Sequence, residues 1–359
     1  MIGASLGEYN DSMVTIRQPY FSKVLAALIA YFGGTPSGRV KLLLPWIGIM
    51  CLLLATVSHS ATLENIERVR NALAEVRFVA YTPTDFAVWN GQVHPASAGS
   101  IRADLQLLRT DFQGLITYSC ANGVEQVPAV AAELGYRALI LGIWDVSSKV
   151  ETDTAITLAR RYPALVIGIS VGNETLLAKR LSWSVLQRSL EKLRAELPGV
   201  AITTSEPFYY YLLDDTPGFL DAQDFLLPSV HPLYQPWFAG STVETDVDFV
   251  VEVMGKLAKR TNKPILVKET GLPSGPRELG FTPQRQAQFW HLLIARITAN
   301  KAHAIAYFEA FDQPWKAENA RAEFGLHPEE GYWGLYDTEG HGKPVLSDLR
   351  SLWSTRGQR

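Results

Sequence analysis

Two glutamates in this chain stand where short apolar runs end. ALVIGISVGNE at 164–174 closes on Glu174, and PILVKETG at 264–271 carries Glu269 near its end. A pair of carboxylates facing one substrate is what glycosidic bond cleavage requires. One protonates the leaving oxygen while the other attacks the anomeric carbon or activates water. A single glutamate at a strand end is commonly a solvated rim residue or an ion-pair partner, but two in matching contexts point to one shared cleft. Lys268 adjoins Glu269, and neighbours on a strand point to opposite sides, so Lys268 is expected to face outward toward helices. Other chemistries lack their residues. The seven histidines form no HExxH or paired spacing, no GxSxG elbow or phosphate loop occurs, and Cys51 and Cys120 make no CxxC site. No metal and no cofactor is expected.

Aromatic side chains gather at the ends of the same kind of run. Tyr81, Tyr118, Trp144, His231, Tyr234, Trp237, Phe308 and Trp315 all fall there. Each alone fits core packing as well as ligand contact. Together they suit a wet groove in which ring faces meet the C–H faces of sugars.

The elements that would position these residues alternate. Apolar runs at 76–83, 114–119, 137–145, 164–174, 200–206, 225–232, 264–271 and 303–312 are separated by helical periodicities, such as Leu186, Leu190, Leu193 and Leu197 on one face. Thr282 followed by Pro283 reads as a helix N-cap and first turn. Eight runs between residues 76 and 312 fit the roughly 250 residues of a (β/α)8 TIM barrel, an α/β fold whose site lies at the C-terminal ends of the strands. The competing doubly wound sheet would carry a glycine-rich loop after its first strand, and YTPTDF is unlike one. The chain is therefore read as a single barrel.

Residues 1–61 read differently. LLLPWIGIMCLLLATV at 42–57 carries no charge and follows Arg17, Lys23, Arg39 and Lys41. It is short for a spanning helix, which needs about 20 residues. It is read as the core of a signal sequence cleaved near Ser60 or Ala61, or as an inner-membrane anchor, rather than as a buried helix. This gives a leader, 1–61, a catalytic domain, 62–359, and an exported, periplasmic or cell-surface location. The 359 residues are 47% hydrophobic with a net charge of −3, so a polyanion such as nucleic acid is a poor partner and a neutral one is not disfavoured.

VGNE at 171–174, VHPLYQPWF at 230–238, KETGLPSG at 268–275 and YFEAFDQPWK at 307–316 resemble glycoside hydrolase family 17, in particular its bacterial β-1,3-glucan branch. The resemblance runs from about Phe78 to about Tyr336. It implies a retaining enzyme with Glu174 as acid/base and Glu269 as nucleophile, in which case their carboxyls lie about 5–5.5 Å apart. It further implies that Asn173 meets the sugar 2-hydroxyl, that Tyr234 and Trp237 line the donor side, and that Phe308, Glu309, Trp315 and Lys316 bind glucose. Tyr81, Tyr118 and His231 are carried with them as substrate contacts. The chain departs from the family at Ile116, where an arginine is usual, and at Leu272, where a tryptophan is usual, so a sugar contact and a stacking face are expected to be missing. The family uses no cofactor.

The expected activity is cleavage of β-1,3-glucan through a covalent glucosyl-enzyme. Transfer of the glucosyl unit to another glucan uses the same residues. A membrane-tethered, non-catalytic glucan binder is the reading from another class, and an intact glutamate pair speaks against it.

Overall fold

A computed structural model describes residues 62–214, 216–324 and 326–355. The leader and its apolar run 42–57 lie outside these. Among the described residues no helix is long and apolar enough to cross a membrane.

The first helix, α1, spans 62–75. It is followed by β1 (Phe78–Ala80), a hairpin of β2 (Ala87–Trp89) and β3 (Gln92–His94), α2 (Ala98–Leu108), β4 (Gly114–Ile116), α3 (Val127–Glu133) and β5 (Ala138–Ile143). Next come α4 (Lys149–Arg161), β6 (Val166–Asn173), α5 (Trp183–Glu196), β7 (Ala201–Ser205) and α6 (Phe208–Leu212). The chain continues through α7 (Val243–Arg260), β8 (Ile265–Val267), α8 (Pro283–Arg296), β9 (His303–Ile305), α9 (Pro314–Phe324) and α10 (Pro344–Thr355).

The parallel order β1-β4-β5-β6-β7 accounts for five barrel strands, and β8 pairs with β9. The sixth position is held by 225–230. It is bridged to β7's end through Pro207 and Ser229, and to β8 through Leu226 and Ile265. Pro228 has no N–H to donate, which interrupts this strand, although its carbonyl still accepts from Lys268 N at 2.9 Å. Val79 bridges Tyr307 and closes the ring. All eight runs read from the sequence are present in the expected order. The hairpin β2–β3 and helix α1 were not legible there.

Phe78, Ile116, Ile140, Ile167, Phe225, Leu227, Leu266 and Ala304 fill the barrel together with Val69, Ala72 and Leu73 of α1. That helix closes the N-terminal mouth. Its side chains bond carbonyls of the turns preceding the strands, Asn65 to Pro198 at 2.8 Å and Arg68 to Pro163 at 2.7 Å. The alternate strand residues pack outward against the helices. Thr282 caps α8 through Arg285 N at 3.1 Å, as its spacing predicts.

Candidate active site

β6 runs eight residues and then turns sharply. Gly172 has φ +83°, a conformation glycine adopts freely, and a Cβ there would collide with Thr175 Oγ1. Glu174 itself sits at φ +49°, which costs a non-glycine residue about 1–3 kcal/mol and persists only where neighbours enforce it. Two contacts do so. Glu174 N donates to Ser205 O at 2.7 Å, and the buried Glu206 carboxylate at the end of β7 accepts from Leu176 N at 2.9 Å and Leu177 N at 3.3 Å. The turn aims Glu174 across the mouth.

On the facing side the chain leaves β8 after Val267, and both Lys268 and Glu269 enter the mouth. The expectation that Lys268 faces the helices is wrong. Leu266 points into the barrel, so alternation carries Lys268 inward too, and Glu269 joins it because the regular strand has ended. Lys268 is 1% exposed. Its ammonium lies 3.2 Å from Glu269 Oε1 and 3.9 Å from the centre of the Tyr118 ring, and it donates to Asn173 Oδ1. An ammonium can only donate, so Oδ1 must be the atom turned toward it. The Asn173 amide N–H groups are thereby left for another acceptor.

The two carboxylates are pushed apart. Burial, then the charge of Glu269, raises Glu174 to about 7. Burial also works to raise Glu269, but Lys268 and His231, whose Nε2 is 3.4 Å from Oε2, outweigh it and hold this group well below the usual carboxylate range. Tyr118 stands against Glu269, and desolvation followed by that charge raises the phenol well above its ordinary value.

Beneath the pair, His231, Phe308 and Trp333 meet edge to face at 5.1–5.4 Å. His231 Nδ1 and Trp333 Nε1 are buried without a hydrogen-bond partner among the described residues. Glu309 is buried and bound by Lys316 Nζ at 2.8 and 2.6 Å; burial raises it to about 7 against that cation. Tyr234 is half exposed beside His231 and donates to Glu330.

The remaining expected contacts divide. Tyr81 does not reach the mouth. Its hydroxyl donates to Asp104 at 2.9 Å in the layer between strands and helices, because Phe78 and Ala80 take the inward positions of β1. Trp237 leans edge-on against Phe249 of α7 at 5.3 Å, and Trp315 turns to Phe86 while donating to Gln313 at 2.7 Å. Leu272 is fully buried in the outer core, so this position packs the fold and offers a sugar no face. Ile116 points into the barrel interior. Lys268, Glu206 and Trp333 were not singled out by sequence reasoning as part of the site. The first could have been found by carrying the alternation on from Leu266.

Lys268→Met is expected to raise Glu269 toward the ordinary carboxylate value, moving the acid limb of the kcat/KM profile upward, and to lower kcat by about 100-fold. A pH–rate profile checks this, and an unmoved acid limb would leave Lys268 a purely structural role.

The BtgE/BtgC glycoside hydrolase domain family matches residues 79–334, well over half of the chain. The chain belongs to that family. This enzyme is thus an O-glycosyl hydrolase on a TIM barrel, in keeping with its resemblance to family 17. A glucan 1,3-beta-glucosidase of Arthroderma benhamiae is 23% identical over 251 residues, covering 66% of this chain and 80% of the relative. A glucan 1,3-beta-glucosidase of Schizosaccharomyces pombe is 24% identical, covering 62% and 74%. Among solved structures, an endo-laminarinase from Formosa superposes with a TM-score of 0.63 at 21% identity, covering 77% of this chain and 86% of that one. A Rhizomucor miehei beta-1,3-glucanosyltransferase mutant in complex with laminaritriose gives 0.60 at 18% identity, covering 75% and 96%.

Proposed function

We propose that this enzyme acts on β-1,3-glucan by retaining double displacement, with Glu174 as acid/base and Glu269 as nucleophile. The observation that carries the reading is the opposite displacement of two carboxylates in one mouth. One is raised to about 7 and the other held low, which is the assignment an acid and a nucleophile need. The substrate is taken from the relatives, two of which are named for 1,3-beta-glucan and one of which was solved with laminaritriose.

In the first step a Glu269 oxygen bonds to C1 while the glycosidic C–O bond breaks. The electron pair leaves with the outgoing oxygen, which takes the Glu174 proton. In the second, the Glu174 carboxylate removes a proton from the acceptor hydroxyl, the acceptor oxygen bonds to C1, and the Glu269 ester bond breaks. Asn173, with its amide N–H groups freed by Lys268, hydrogen-bonds the 2-hydroxyl. Phe308, Glu309 and Lys316 line the sugar bound at the attacked carbon.

Water as acceptor gives hydrolysis, and a glucan hydroxyl gives transfer. Transfer is favoured as a second reading by Tyr209, a partly exposed ring whose phenol is raised by burial first, then by Tyr210, and after these by the charges of Glu174 and Glu206. Such a face can hold an acceptor sugar where water must approach. Incubation with laminari-oligosaccharides and sizing of the products tests both. Shorter products alone mean hydrolysis, longer ones transfer, and unchanged oligosaccharide the non-catalytic binder. Export directed by residues 42–57 is part of the proposal; a reporter fused after Ala61 that is active only outside the cytoplasm tests it.

A further inference from the structure

The loops after β5 and β6 enclose a second hollow at the C-terminal end of the barrel, a pocket of about 250 Å³. Trp144, Asp145, Thr175 and Arg180 are among its lining residues, whereas Glu269, Lys268, His231, Phe308 and Trp333 are not. It is therefore distinct from the space around the nucleophile.

The indole is a fixed plate. The buried Glu151 in the first turn of α4 accepts from Trp144 N and Asp145 N, each at 2.9 Å, and from Ser119 Oγ at 2.6 Å, which ties the loop after β4 to the loop after β5. The Arg180 guanidinium covers one face of the ring at 4.4 Å and donates to the Asn173 carbonyl. Trp144 nevertheless remains 48% exposed. Thr175, the residue after Glu174, lines the pocket and is almost wholly buried, with its Oγ1 turned toward Gly172 and without a hydrogen-bond partner among the described residues. A buried hydroxyl without a partner costs stability unless a ligand or water meets it. Asp145 adds a carboxylate. Arg180 is already engaged by the indole and by the Asn173 carbonyl, and Asp145 adds a negative charge to the lining, so an anionic ligand gains little here. A half-exposed indole beside a carboxylate, of which one oxygen accepts from Ser147 N at 2.9 Å and the other is left to accept, matches a neutral hexose ring, whose C–H face stacks while its hydroxyls donate.

We propose that this pocket is an outlying subsite that holds a glucosyl unit of the glucan other than the unit attacked by Glu269. The proposal rests on the β-1,3-glucan reading above. Its signature is a dependence on chain length, because only oligosaccharides long enough to reach the loops after β5 and β6 while spanning the two glutamates gain from it.

The test measures kcat/KM of the full chain and of Trp144→Ala and Trp144→Phe over laminari-oligosaccharides of increasing length, with thermal melts of all three. The expected result for Trp144→Ala is a loss that grows with length to about tenfold, reversed in large part in Trp144→Phe, which keeps a ring face. A loss of equal size at every length, or no loss, overturns the subsite while leaving the glucan reading in place. Wild-type enzyme that neither cleaves, elongates nor binds any laminari-oligosaccharide overturns both together.

Discussion

Glu269→Ala is expected to lower kcat on a laminari-oligosaccharide by about 10,000-fold or more, because it removes the carboxylate that forms the bond to C1. Sodium azide should then restore part of the turnover on a substrate with a good leaving group, since the small anion fits where the carboxylate stood. The product should be the glycosyl azide of inverted configuration, because azide attacks from the nucleophile's side and nothing displaces it afterwards. An azide product of retained configuration would instead mean that Glu269 is the acid/base. The substitution also leaves the Lys268 ammonium without its carboxylate, and an unpaired buried charge costs about 3–5 kcal/mol. Glu269→Gln keeps the shape and half of the hydrogen bonding. If both variants retain a cooperative melt and near wild-type turnover, the nucleophile assignment is wrong.

Glu174→Gln should show a different pattern. Loss of the proton donor is worth about 100- to 10,000-fold when the leaving group is a sugar hydroxyl. It should be far smaller in the first step with an activated aryl glycoside, which departs without a proton. The pH dependence follows from the same group. Glu174 must be protonated to act first, and burial together with the Glu269 charge raises it to about 7, so kcat/KM should fall as pH rises through about 7. Glu269 must be ionised and is held low, so the acid limb should lie far below that. In Glu174→Gln the alkaline limb near 7 should vanish. A limb that persists would have to be assigned to another group, and Glu206 and Glu309, both raised to about 7 by burial, are the groups to substitute next.

The two glutamates were legible because their signals are local. Glu174 follows a turn in which Gly172 is required by its positive φ and by the closeness of Thr175, and a requirement of that kind is written in the sequence as VGNE. Glu269 follows an uninterrupted apolar run, which a parallel strand buried on both faces must have. The order of eight runs and the cap at Thr282 are local in the same sense.

Local residue pattern is enough for the barrel, the order of its strands and the two carboxylates at their ends. Which neighbours accompany those carboxylates was decided by the tertiary structure. Strands buried on both faces show no alternation of polarity, so the inward phase of β1 and β8 is invisible in FVA and ILV. A shift of one residue in that phase exchanges inside for outside. It is why Tyr81 lies behind the strand on Asp104, and why Lys268 stands in the mouth between Tyr118, Asn173 and Glu269. Glu206, Trp333 and helix α1 depend on contacts between segments far apart in the chain, and only closure of the barrel brings those segments together.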